Sequence, residues 1–196
     1  MKCGKILALL LTITAGASWA SASWSASPCS RSDYDIQIAA AVIEWWPDVA
    51  PDTGFYAWKA QLCQESRLDP RAVSPAGAKG LAQFMPGTWR EVAIELGLGK
   101  RTAFDPWAAI DAGAYYMAKL RRFPDWRRWQ DPERHRMSQA SYNAGPGNIR
   151  KALRLCPAQS WSGVARCLPT VTGRHALETI TYVERIAEWQ RMLGGQ

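Results

Sequence analysis

Phe55-Tyr56-Ala57-Trp58-Lys59-Ala60-Gln61-Leu62-Cys63-Gln64-Glu65-Ser66-Arg67-Leu68-Asp69-Pro70 is the stretch that decides how this chain is read. Phe55, Trp58 and Leu62 recur at spacings of three and four, the period of one helix face. Three residues further along the same stripe stands Glu65. Asp69-Pro70 closes the helix, because the residue before a proline disfavours helical geometry. A carboxyl group is thus set on an apolar face. Burial there disfavours the ionised form and raises the pKa. A carboxyl kept protonated near neutral pH can donate its proton to a leaving oxygen, which is the requirement for breaking a glycosidic bond. Spacing alone does not separate this from an ordinary ion-paired or snorkelling glutamate.

Working outward, helical patterns fill the chain. Ile36, Ala39, Ala40 and Ile43 are expected to form one face of a helix that ends at Pro47. Residues 70–80 contain Ser74-Pro75 and Gly77-Ala78-Lys79-Gly80, a loop signal. Thr88 and Glu91 fit a capping box, with the helix stopping at Gly97 or Gly99. Asp105-Pro106 and Asp131-Pro132 each read as an acidic cap followed by a proline at the first helical position. Ile149, Ala152 and Leu153 suggest a short helix after Gly145-Pro146-Gly147. Leu177, Ile180, Val183, Ile186 and Trp189 mark a terminal one. No alternating strand pattern appears. The expected fold is mostly α, one compact domain of about seven or eight short helices over residues 35–196.

The N-terminus has the layout of a secretory signal: Lys2 and Lys5, the apolar run Ile6–Ala17, then small residues that allow cleavage after Ala20 or Ala22. Residues 1–22 are therefore expected to be a signal peptide and 23–34 an extended leader, which places the mature chain in the periplasm or outside the cell. Losing residues 1–22 removes Lys2 and Lys5 and lowers the formal net charge from +7 to +5. A basic exported chain suits an anionic wall polymer, and export argues against nucleic acid as partner. Four of the five cysteines remain, an even number that suggests disulfides in an exported protein. Of three possible pairings, the short loop favours Cys156–Cys167, leaving Cys29–Cys63. Each bond is expected to add roughly 2–4 kcal/mol.

The run Gln64-Glu65-Ser66-Arg67-Leu68-Asp69-Pro70, then Ala72, then Ser74-Pro75-Ala76-Gly77-Ala78-Lys79-Gly80-Leu81-Ala82-Gln83-Phe84-Met85-Pro86-Gly87-Thr88, resembles the signature of the soluble lytic transglycosylase family, related to goose-type lysozymes. Ala140-Ser141-Tyr142-Asn143-Ala144-Gly145 resembles its third motif, with Ser141 where a smaller residue often stands. Glu178-Thr179 with Tyr182-Val183 resembles its closing motif. Asp105-Pro106, Ile110 and Ala112-Gly113-Ala114 fit the helix between them. Together the blocks reach from Ile36 to Trp189.

The resemblance implies a lysozyme-like helical fold and a lone acid/base, Glu65, acting on peptidoglycan glycan strands. Glu65 would protonate the oxygen between N-acetylmuramic acid and N-acetylglucosamine, then deprotonate the muramic 6-hydroxyl as it attacks the anomeric carbon. The product is a 1,6-anhydro sugar, so the second carboxylate of a conventional glycosidase is not needed. The resemblance also implies substrate-binding or site-building roles for Ser66, Ser74, Gln83, Met85, Tyr142, Asn143 and Tyr182. Tyr142 is expected to hydrogen-bond Glu65, and Tyr182 to close the pocket's other side. No cofactor and no metal are implied. A monomer is expected, with a secretion, conjugation or phage assembly as a conceivable setting. Of the eleven tryptophans, Trp126, Trp129 and Trp161 fall outside clear stripes and are the candidates for sugar contact.

Three rival readings stand beside this one. A lysozyme-like hydrolase would use Asp69 as base, though its place before Pro70 suits a loop role better. A cysteine hydrolase would use Cys63 with His135 or His175. A non-enzymatic wall-binding component would keep the fold without the chemistry.

Overall fold

The computed structural model describes residues 28–194, and within them the chain forms nine α-helices. They are α1 (Asp35–Trp45), α2 (Pro51–Ser66), α3 (Pro86–Glu95), α4 (Pro106–Arg121), α5 (Glu133–Ala144), α6 (Pro146–Leu155), α7 (Trp161–Ala165), α8 (Leu168–Thr172) and α9 (Ala176–Gly194). Seven correspond to the patterned segments. The two five-residue helices, α7 and α8, come from a stretch whose sequence shows no clear period. Among the described residues there is no strand, only isolated bridges joining Val73 to Lys79 and Lys79 to Phe84. No described helix is long and apolar enough to cross a membrane. The expected signal, residues 1–22, lies outside the described residues, as does the start of the expected leader.

The described part of that leader is not simply extended. Pro28–Ser30 forms a 3-10 turn, Cys29 is fully buried, and Cys29 is bonded to Cys63 of α2. The Lys59 ammonium adds a second tie, donating to the Arg31 carbonyl at 2.8 Å and to Asp35 at 2.6 Å. The second disulfide joins Cys156 to Cys167.

Helix starts follow local chemistry, with two departures. Asp105 caps α4 as its sequence position predicts, accepting from the Trp107 and Ala108 amides. The expected Thr88 capping box does not form: α3 starts earlier, at Pro86, whose missing N–H leaves one donor fewer to satisfy. At α5 the cap position falls on Pro132, after a cis Asp131–Pro132 bond, and the Asp131 carboxylate binds Arg121 and Arg134 instead of the helix amides.

α1 turns the opposite way from the predicted stripe. Ile36 and Ile43 are exposed, while Ile38, Ala41 and Val42 are buried and Trp46 follows them inward. The segment is apolar nearly all round, so periodicity does not select a face. The spacing Ile38–Val42–Trp46 does, because the large indole sets the orientation.

Two apolar cores result. One gathers Trp46, Trp58, Leu62, Leu81, Ile110 and Met117 from α1, α2, α4 and the loop after α2. The other gathers Trp126, Met137, Ile149, Val164, Leu168 and Ile186 from the C-terminal half. Packing in the first is close enough that a Cβ on Gly113 would stand 2.6 Å from the Trp58 ring. Trp126 and Trp161, candidates for sugar contact, are core residues at 0% and 5% exposure. α2 lies along α9 more extensively than any other helix pair, and this contact builds the site.

Candidate active site

Glu65 occupies the last turn of α2, where the chain must leave the helix without blocking its own carboxyl. Arg67 ends the helix in the left-handed region (φ 55°), and Leu68 follows at φ 61°. Leu68 is almost fully buried, so its apolar side chain holds a backbone shape that L-residues rarely adopt. The turn sends residues 69–85 back along the helix end as one wall of a cleft of about 620 Å³. Glu65, Ser74, Gln83, Met85, Tyr142, Asn143 and Tyr182 all line this cleft, so the structure brings together every predicted site residue except Ser66.

The wall is pinned at both edges. Ser66 donates its hydroxyl to the Leu81 carbonyl at 2.9 Å, and Tyr142 donates to the neighbouring Ala82 carbonyl at 2.7 Å. Within the loop, the Ser74 hydroxyl accepts from the Ala78 amide at 3.0 Å. The Gln83 amide donates to the Gly80 carbonyl at 2.9 Å and to the Ala72 carbonyl at 3.3 Å. Gly80, at φ 72°, passes so close to the Ala103 carbonyl that no side chain fits. Ser66, Ser74 and Gln83 therefore build the loop, and Met85 presents its exposed thioether to the cleft.

Glu65 itself meets a different partner from the expected one. Tyr142 spends its proton on Ala82. The hydroxyl that reaches Glu65 is Tyr182 of α9, donating to Oε1 at 2.5 Å. Burial pushes the Glu65 carboxyl up from the ordinary 4.5, and the Tyr182 hydrogen bond opposes this only in part, leaving it at about 8. Both tyrosines are raised well above 10, first by burial and next by the Glu65 charge, so they stay protonated. Asn143 is tied to α9 through its Oδ1, which accepts from Thr179 at 2.7 Å.

The rival constellations do not assemble. Asp69 is exposed and accepts from the Arg71 amide at 2.8 Å, a turn-forming role. Cys63 is in a disulfide. Among the described residues no cluster of metal-ligating side chains occurs. The sequence reading misses the far rim of the cleft, where Arg174, Leu177, Thr181 and Arg185 face the loop from α9 and the turn before it. Four-residue spacing from Leu177 through Thr181 to Arg185 is the signal that marks this as one face.

Comparison with known proteins agrees with this geometry. Residues 59–161 match the family described as the transglycosylase SLT domain. The chain is 38% identical over 127 residues to membrane-bound lytic murein transglycosylase F of Alcanivorax borkumensis, covering 60% of this chain and 25% of that protein. It is 33% identical over 165 residues to the protein of the same name from Desulfosudis oleivorans, covering 74% of this chain and 34% of that one. The chain thus spans about a quarter to a third of these relatives. Its fold is similar to an inactive mutant of lytic transglycosylase Slt from Pseudomonas aeruginosa, with a TM-score of 0.63 and 23% identity over 83% of this chain and 24% of that one. It is also similar to the 70 kDa soluble lytic transglycosylase of Escherichia coli, with a TM-score of 0.58 and 25% identity over 80% of this chain and 24% of that one.

Proposed function

The chain belongs to the transglycosylase SLT domain family, and from that premise we propose that it cleaves the β-1,4 bond between N-acetylmuramic acid and N-acetylglucosamine in peptidoglycan, with Glu65 as the only acid/base. The observation that carries this is a carboxyl at the head of a 620 Å³ cleft, withdrawn from water and raised to about 8. At neutral pH it holds the proton that the departing glycosidic oxygen must receive. The resulting carboxylate, steadied by Tyr182, takes the proton of the muramic 6-hydroxyl as that oxygen bonds to the anomeric carbon. The glutamate ends protonated, no water is consumed, and the product carries a 1,6-anhydro ring. Met85 supplies an apolar surface for a sugar, and the Asn143 amide N–H₂, with Oδ1 already engaged, suits the substrate's acetamido oxygen. The wall polymer places this activity outside the cytoplasmic membrane, in keeping with the export signal proposed for residues 1–22.

A hydrolase reading is favoured by one feature, the exposed Glu178 on the cleft rim, a second carboxylate whose near partner is His175 at 3.8 Å. Product analysis decides. Purified sacculi digested with the wild-type chain should release muropeptides with anhydro ends, one water lighter than reducing ends. Glu65→Gln should lower that release by about 10²–10⁴-fold while keeping the wild-type circular dichroism. Full activity in Glu65→Gln sinks the acid/base assignment, and reducing ends that vanish in Glu178→Gln establish the hydrolase.

A further inference from the structure

Gln61 stands one helical turn before Glu65, on the same face of α2. It is fully buried, yet neither its amide oxygen nor its amide nitrogen has a hydrogen-bond partner of good geometry. A buried amide left this way costs stability, and a leucine or methionine of the same shape would avoid the cost. Such an orphaned group calls for an explanation in function. The position supplies one. α2 packs along α9, from which Tyr182 reaches Glu65; the residues flanking Gln61 on that side are Ala60, which joins the core of Tyr182, Val183 and Ile186, and Gln64, which accepts from the Trp189 indole. The Gln61 amide therefore lies beside the Tyr182 hydroxyl, at a contact looser than a good hydrogen bond but close enough that its N–H draws the hydroxyl's pKa down against burial.

Building on the acid/base reading of Glu65, we infer that Gln61 is a positioning residue that aims its amide N–H at Tyr182 Oη and so fixes the direction of the tyrosine's single proton. With an N–H facing the phenol oxygen, the phenol proton goes to Glu65 Oε1. The acid's own proton is then kept on Oε2, the oxygen that Tyr182 leaves free. With the Gln61 carbonyl facing the phenol instead, the amide would take the tyrosine proton. Glu65 would then spend its own proton on Tyr182 Oη, where no leaving oxygen can receive it. The other titratable groups around Glu65 do not substitute for this device. Tyr142 from α5 gives its proton to Ala82, and Glu178, Arg174 and Arg185 lie along the exposed rim.

The test reads Glu65 without substrate, so its failure is separate from failure of the proposed activity. The full chain is labelled at the glutamate side-chain carboxyl carbon with ¹³C, and Glu65→Gln assigns the signal. Tyr182→Phe should move the Glu65 midpoint upward by about one unit, because it removes the one hydrogen bond that favours the carboxylate. Gln61→Met should move it in the same direction by about half that. The double variant should move no further than Tyr182→Phe alone, since Gln61 acts through Tyr182. Gln61→Leu repeats the readout should the Met variant fold poorly, though an apolar replacement of an unpartnered amide is expected to melt no lower than wild type. On sacculi, Gln61→Met should lower kcat about tenfold with KM unchanged. A Gln61→Met midpoint identical to wild type, or a double-variant shift equal to the sum of the two, overturns the inference.

Discussion

Around Arg121, a buried guanidinium faces two aspartates that reach solvent, whereas around Glu65 the carboxyl meets only a neutral tyrosine. The Arg121 side chain is 4% exposed and donates to Asp131, to Asp48 at 2.9 Å and to His135 at 3.0 Å. Arg134 adds a second cation to the same two aspartates. Burial would push Asp131 up, but hydrogen bonds and charge from Arg134 and Arg121 overcome it and bring the carboxyl down to about 2. Glu65 is buried more deeply than Asp131, with no cation in bonding reach among the described residues, and it rises to about 8. The two regions share an origin, a helix stripe carrying a charge inward. They differ in whether the fold supplies the opposite charge. A compensated cluster holds the structure, and an uncompensated carboxyl stores a proton near neutral pH.

The largest effect should come from breaking compensation. Arg121→Met removes the central cation and strips His135 Nδ1 of its donor. Removing one partner of a buried pair costs about 3–5 kcal/mol. Here Asp48 and Asp131 reach solvent and keep Arg134, so the expected loss is about 2–3 kcal/mol, read as a lower urea midpoint. Cleavage per folded molecule should stay near wild type, because the cluster lies outside the cleft. An unchanged midpoint would mean that the network contributes nothing to the fold.

The next effect sharpens the contrast from the other side. Glu65 has a folded pKa of about 8 against an ordinary 4.5. Its protonated form is favoured in the folded chain, so its contribution is fully present below about pH 4.5 and is lost as pH rises through about 8. Glu65→Gln keeps the shape and cannot ionise. Its unfolding free energy should therefore gain on wild type by about 2 kcal/mol between about pH 5 and pH 9, a value discounted because the cleft admits water. Melting curves of both proteins across that range give the answer. Parallel curves would show that Glu65 is not withdrawn from water.

These two regions were unequally legible in the sequence. Glu65 could be placed because Phe55, Trp58 and Leu62 define a local stripe, and the loop motif after it lies within twenty residues. Tyr182 was legible as a member of the site but not as the partner of Glu65, because 117 residues separate them and only the α2–α9 contact brings them together. Gln61 lies at a core position of the same helix, but a lone buried amide carries no sequence signal of the partner it faces. The Arg121 network left no trace, since Asp48, Arg121 and Asp131 come from three separate segments. The face of α1 is hard to read for a different reason: the segment is apolar nearly all round, and only the Ile38–Val42–Trp46 spacing marks the buried side.

The smallest effect tests whether His135 belongs to the compensated side. Its ring lies against Trp46, its Nδ1 accepts from Arg121, and its Nε2 has no partner. Burial first, and then the Arg121 charge, push it down to about 3 from 6.5. The folded chain therefore keeps the ring neutral while the unfolded chain protonates it. The stability this contributes is fully present above about pH 6.5 and is lost as pH falls toward about 3. Asp131 adds its own acid sensitivity only below about pH 4, and Glu65, whose linkage overlaps the interval from about pH 6.5 to pH 4.5, is common to wild type and variant, so the difference between the two proteins there reports the histidine. His135→Gln can keep an acceptor for Arg121 and cannot be protonated there. Its unfolding free energy should fall less than wild type across that interval, by about 1 kcal/mol after allowance for partial exposure. If the two proteins lose stability in step, the ring is being protonated in the folded state, and the cluster around Arg121 accommodates a further charge instead of excluding it.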